Sequence, residues 1–127
     1  MHVQEELKKN LNSYTGICFE YLIEDLLKSG LVKGYSYISK WWHDEIEIDA
    51  IGINEKNEQI LFGECKWSDN VNAGRILEEL QGKSKFVQWH NETRKETYAI
   101  FAKSFKQNIK QDSLMLFDLM DLEKMIK

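Results

Sequence analysis

No proline occurs anywhere in the chain, so breaks between elements fall to glycine and to Asn/Asp/Ser clusters. Cysteine is scarce: Cys18 and Cys65, with no export signal in view, point to free thiols in a reducing cytoplasm. The three histidines, His2, His43 and His90, are scattered and make no ligand spacing with the cysteines, which excludes the usual structural zinc patterns. No apolar run approaches the roughly 18 residues of a membrane span. The first ten residues, MHVQEELKKN, lack the apolar core of a secretion signal. There is no internal repeat, no low-complexity run and no linker, so the expectation is a single domain, 1–127, in the cytoplasm.

Hydrophobic residues make up 43% and aromatic residues 12%, a composition that folds rather than stays disordered. The net charge of −4 argues against strong free-standing affinity for nucleic acid, but it is unevenly spread. Residues 1–69 carry 7 Lys/Arg against 13 Asp/Glu; residues 81–110 carry 7 basic side chains (Lys83, Lys85, Arg94, Lys95, Lys103, Lys106, Lys110) against Glu92 and Glu96. That basic segment reads either as a phosphate-facing rim or as a solvated helix face.

Apolar spacings of three and four predict helix over residues 3–29, with Ser13 able to cap a second helix and Gly30 in place to end it. Residues 35–42, YSYISKWW, have strand composition. Two strands within 46–67 flank a polar turn at 54–59, and a helix follows over 72–89. Residues 96–102 read as a buried strand, 104–110 as a basic turn or helix, 113–119 as a strand and 121–127 as a short terminal helix. The order α-β-β-β-α-β-α-β-α implies an α/β fold, a mixed sheet with helices on both faces. The first residues read as the middle of a helical lead-in, as though the chain continued upstream.

Chemistry concentrates in IEIDAIGINEKNEQILFGECKW, residues 46–67. Side chains alternate along a strand, so Glu64 and Lys66 share one face while Gly63 and Cys65 take the other. Antiparallel pairing across the turn brings Asp49 close to that acid and amine. Ile51 and Ile53 fall on the Asp49 face by alternation, so this strand is covered on both sides or bulged after Asp49. Magnesium takes oxygen ligands and keeps several waters, so one or two carboxylates often suffice to hold it. A neighbouring lysine can hold a phosphate oxygen or orient a water. The rival reading is a salt-bridge cluster on an exposed sheet face. Cys65 reads as a buried structural thiol rather than a nucleophile.

YTGICFEYLIEDLL, WWHDEIEIDAIGIN and QILFGECKWSD, in this order, resemble the PD-(D/E)XK nuclease superfamily. More narrowly, they are similar to the domain of unassigned function at the C-terminus of archaeal and bacterial P-loop ATPases. The likeness covers residues 12–102. It implies a restriction-endonuclease-like mixed sheet and a Mg²⁺- or Mn²⁺-dependent nuclease hydrolysing DNA phosphodiester bonds. It also implies that this single nuclease-like domain is the C-terminal part of a larger ATPase. Asp49 and Glu64 would be the metal-binding acids, with the Cys65 carbonyl a third ligand, and Lys66 would contact phosphate. Glu20, on the first helix, would be the additional acid, with Gly16 one turn earlier allowing close packing. Gln81 would be a further residue near the site. Glu47 shares the Asp49 face and reads as a solvated neighbour rather than a ligand; Lys83 and Lys85 read as a solvated face. The implied partners are nucleic acid, a P-loop ATPase domain and a second copy of the chain, with no membrane. The alternative is a non-catalytic, nuclease-derived interaction or regulatory module of such an ATPase.

Other signals fall away. Gly82-Lys83-Ser84 ends like a phosphate-binding loop, but the required first glycine is Leu77. Asn91-Glu92-Thr93 is a glycosylation sequence without secretion to use it. Trp41 and Trp42 read as packing residues, although an exposed member could stack on a base.

Overall fold

The computed structural model describes residues 16–125. The elements run α1 (Gly16–Lys28), β1 (Ser36–His43), β2 (Ile46–Asn54), β3 (Gln59–Lys66), α2 (Ala73–Ser84), β4 (Lys95–Ala102), β5 (Leu114–Phe117) and α3 (Leu119–Met125). The sequence expectations for residues 1–15, including the Ser13 cap, lie outside the described residues. The sheet order is β1-β2-β3-β4-β5, with β1, β2 and β3 antiparallel in turn and β3, β4 and β5 parallel. The fold is therefore α/β, a mixed five-stranded sheet covered by helices on both faces. No helix among the described residues is long and apolar enough to cross a membrane.

Helix α1 forms because Phe19, Leu22, Ile23 and Leu27 recur on one side and all four are buried. It stops where glycine allows: Gly30 has φ +98°, its N–H donates to Leu27 O at 3.1 Å, and the Leu31 N–H donates to Leu26 O at 2.9 Å. This is a Schellman ending, and the left-handed residue it needs is the expected Gly30. The α1 face joins Ala50, Leu61, Ala99 and Phe101 of the sheet and Leu122 of α3 in one core. On the other face α2 sets Ile76, Leu77 and Leu80 against Ile48, Ile51, Ile60, Phe62, Tyr98 and Ile100. The central strands are thus apolar on both sides.

Two departures from the sequence reading have physical causes. Helix α2 ends at Ser84 rather than near residue 89. The guanidinium of Arg94 holds the chain beyond it, donating to the last helical carbonyl, Ser84 O at 2.9 Å, and past the helix to Val87 O at 2.7 Å and Trp89 O at 3.0 Å. No helix forms between β4 and β5 either. The segment after β4 is zipped onto the one after β3: Lys103 N–H donates to Ser68 O, Val71 N–H to Ser104 O and Lys106 N–H to Val71 O. Phe105 and Ile109, spaced like a helix stripe, instead pack separately against the α2-side core.

Gly52 marks the closest approach in the sheet. A Cβ there would lie 2.6 Å from Ile38 Cδ1 and 3.1 Å from Tyr35 Cβ. The isoleucine tip can yield, but the Tyr35 Cβ is fixed by backbone. Gly52→Ala is expected to destabilise the domain by about 1–2 kcal/mol through overpacking, read as a lower urea midpoint with unchanged slope.

Candidate metal centre

The site is made where β2 and β3 part. Their ladder runs from Asn54↔Gln59 to Ala50↔Gly63 and goes no further, whereas β3 stays paired with β4 as far as Lys66↔Ala102. Asp49 stands at the opening and accepts the Cys65 N–H at its Oδ2, 2.8 Å away. A carboxylate thus satisfies a donor that the strand would otherwise have given to its neighbour.

A bulge aims Asp49. On β1, Trp41 faces Ile48, and Ser39, two residues earlier, faces Ile51, three residues later. The extra residue in β2 lets Ile48 and Ile51 both enter the α2-side core while Ala50 packs on the α1 side. The conflict between Asp49 and the isoleucines beyond it is resolved in this way. Asp49 then faces α1, whose Glu20 lies one side-chain length away.

Glu20 and Glu64 are the acids whose proximity acts on the Asp49 carboxyl. Burial, followed by the hydrogen bond and charge of Glu64, pushes the Asp49 carboxyl up to about 7; the Cys65 N–H and Glu20 pull the other way. Glu20 is also raised, by burial first and then by Asp49. Burial pushes the Cys65 thiol up as well, with the charge of Asp49, Glu20 and Glu64 adding to it. A thiol held protonated this way is a poor nucleophile.

Glu47 joins the group. Ligand oxygens of Glu20, Glu47 and Asp49 lie within 4.8 Å of one another. Lys40 stands among them, paired with Glu47 and 3.4 Å from Glu20. Its ammonium is held charged well above the usual lysine range, chiefly by the Glu47 hydrogen bond and then by Glu20. These groups border an open cavity of about 280 Å³ lined by Glu20, Tyr21, Glu24, Lys40 and Asp49.

The structure therefore brings together Glu20, Asp49, Glu64 and the backbone of Cys65 from the residues singled out in the sequence. Lys66 sits half-buried at the end of β3 and, among the described residues, forms no ion pair. Gln81 is not drawn in. Helix α2 turns Ile76, Leu77, Leu80 and Ser84 inward, which leaves Gln81 exposed over clefts that share no residue with the Asp49 cavity. Lys83 does the reaching instead, its Nζ 2.9 Å from Glu64 Oε2. Sequence reasoning missed Lys83 and Lys40. The only signal for Lys40 was its place opposite the bulge, which needs the β1–β2 register to be seen.

Glu64 is nearly fully buried while Lys83 is only partly so. Lys83→Ala is expected to lower stability at pH 8 by roughly 1–2 kcal/mol, because a buried carboxylate loses its cation. Urea unfolding of the variant, with Lys85→Ala as an exposed control, checks this.

The basic segment is also reapportioned. Arg94 is buried and Lys83 is committed to Glu64. Lys103 lies over the Trp67 ring, 4.7 Å from its centre, beside the end of β3 that carries Lys66.

Residues 1–84 match a family described as archaeal and bacterial proteins of unknown function, DUF234. The chain belongs to the DUF234 family. An uncharacterized protein of Methanocaldococcus jannaschii, MJECL04, is 36% identical over 124 residues, covering 92% of this chain and 28% of its own length. The chain thus spans about 28% of the curated relative it matches. No solved structure matches it. The DUF234 stretch contains the carboxylate cluster, the bulge and Lys40.

Proposed function

We propose that this DUF234 domain is a divalent-cation-dependent phosphodiesterase of the restriction-endonuclease-like type, acting on nucleic acid as part of a longer protein. The observation that carries the reading is the convergence of Glu20, Glu47 and Asp49, whose ligand oxygens lie within 4.8 Å of one another, at the opening between β2 and β3. Carboxyls brought this close together form a donor set that a hard cation fits. Asp49 and Glu20 would hold it, with Glu64 and Glu47 at the margins, and Mg²⁺ or Mn²⁺ bound there supplies Lewis-acid stabilisation of phosphoryl charge.

The chain's own residues then have separate tasks. Asp49 is fixed by the Cys65 N–H, so its second oxygen is presented to the cavity in a set direction. Glu64 is oriented by Lys83. Lys40, held charged among carboxylates, is the cation in reach of a phosphate oxygen at Asp49. Lys66 and Lys103, at the carboxyl ends of adjacent strands, suit the flanking phosphates. The resemblance to the PD-(D/E)XK nuclease superfamily supports the same reading, and DNA is the substrate class it suggests.

The chain's acidic net charge and its small share of a longer relative favour a second reading, a nuclease-derived module that regulates an attached ATPase. A cleavage assay separates the two. Single-stranded, duplex and branched DNA are incubated with Mg²⁺ or Mn²⁺ and wild type or Asp49→Ala. The phosphodiesterase reading expects cutting that needs the ion and falls at least about a hundredfold in the variant. Equal cutting by Asp49→Ala, or none by wild type on any of the three, would favour the regulatory module.

A further inference from the structure

Two large aromatic side chains beside the cluster are left open to solvent, Trp42 at 67% and Tyr21 at 68% exposure. A single exposed ring needs no explanation. These two flank the acid group from different elements. Tyr21 lines it together with Glu20, Lys40 and Asp49. Trp42 is the cross-strand partner of Glu47, whose carboxylate belongs to the acid group. Trp41, next in the chain, faces Ile48 and packs into the core on the opposite side, so alternation puts Lys40 and Trp42 on the cavity face. One ring comes from α1 and the other from β1, with carboxylates and a lysine between them.

We infer that this face binds an unpaired nucleic-acid strand, with Trp42 and Tyr21 stacking on bases either side of the phosphate held at Asp49 and Lys40. The inference rests on the phosphodiesterase reading and narrows its substrate. A cavity of about 280 Å³ lies at the lower end of small-ligand sites and has room for one nucleotide of a strand, not for a duplex. Duplex affinity comes mainly from phosphate neutralisation. An acidic face in a chain of net charge −4 is poorly equipped for that. Base–aromatic stacking works for any base because each has a π-face, and it does not depend on net charge. Lys40 gives the phosphate between two stacked bases a cation to meet.

The test is equilibrium binding of the 127-residue chain in Ca²⁺ to three labelled oligonucleotides: a single strand, its duplex, and an abasic strand with the same phosphates. The expected result is single-strand affinity at least about tenfold above both others. Trp42→Ala and Tyr21→Ala should each weaken single-strand binding by roughly fivefold to a hundredfold, and Trp42→Phe should restore most of it. Tryptophan emission should be quenched by the strand in wild type and much less in Trp42→Phe. Equal binding of the abasic strand, a preference for duplex, or no effect of Trp42→Ala overturns the inference. Cleavage of the same oligonucleotides in Mg²⁺ keeps the two ideas apart. Duplex cutting untouched by Trp42→Ala removes the stacking face and leaves the phosphodiesterase. Base-dependent binding without ion-dependent cutting leaves the stacking face and removes the phosphodiesterase.

Discussion

Arg94→Ala is expected to destabilise the domain by about 3–5 kcal/mol, a large part of what a domain of this size has. The Arg94 side chain is 2% exposed, and its guanidinium makes four hydrogen bonds: to the carbonyls of Ser84, Val87 and Trp89 and to Glu96 Oε2 at 2.8 Å. It also lies over Phe62, 5.4 Å from the ring centre, in the α2-side core. Truncation leaves Trp89 O without its donor, takes one of two donors from Ser84 O and from Val87 O, and leaves a carboxylate without its cation. Glu96 keeps only the Tyr98 hydroxyl, 2.6 Å away. Arg94→Lys should recover little, because one ammonium cannot reach partners arranged for a planar fork. Thermal unfolding checks this, with Lys95→Ala expected to stay within about 0.5 kcal/mol of wild type.

Asp49→Asn is expected to act in opposite directions on function and on stability. If the domain is the phosphodiesterase proposed, cutting should be lost, since the side chain at the centre of the acid group can no longer carry charge. Stability at alkaline pH should rise. The Asp49 carboxyl, ordinarily near 3.8, is pushed up to about 7 by burial and by Glu64, so the folded state holds its proton more tightly than the unfolded chain. A raised carboxyl leaves folding unpenalised below about pH 4 and costs stability as pH climbs toward 7, after which the cost is constant. Asparagine keeps an oxygen for the Cys65 N–H and removes the charge. The variant should match wild type at pH 4 and exceed it by about 2–4 kcal/mol at pH 8 without divalent cation. Chemical denaturation across this range reads the difference.

Much of the architecture could be read from residues. Gly30 ended its helix because only a left-handed position completes that cap. The strands around Asn54–Gln59 paired as the polar turn implied, and the isoleucines beyond Asp49 forced a choice between a double-sided strand and a bulge. Both features are present. What stayed hidden depended on partners distant in sequence. Lys40 looked like one more residue of an aromatic strand until the β1–β2 register set it opposite Asp49. Arg94 and Lys83 counted toward a basic rim by composition, yet one is enclosed by carbonyls and the other is spent on Glu64. Glu47 is exposed, as expected of a solvated neighbour, but alternation gives a face and not the distance that sets its oxygen within 4.8 Å of those of Glu20 and Asp49. The missing helix between β4 and β5 has the same origin. Phe105 and Ile109 are spaced for a helix, and tertiary pairing with Val71 claimed the backbone first.

The most direct test of the carboxylate cluster as a cation centre is the thermal unfolding of wild type and Asp49→Asn at pH 8, each with and without Mn²⁺. A cation bound there should raise the wild-type midpoint, by an amount that shrinks as pH falls below 6, and should leave Asp49→Asn unmoved. A wild-type midpoint indifferent to Mn²⁺ at pH 8, or an equal rise in the variant, would contradict it. The carboxyls of Glu20, Glu47 and Asp49 would then be an acidic cluster and nothing more.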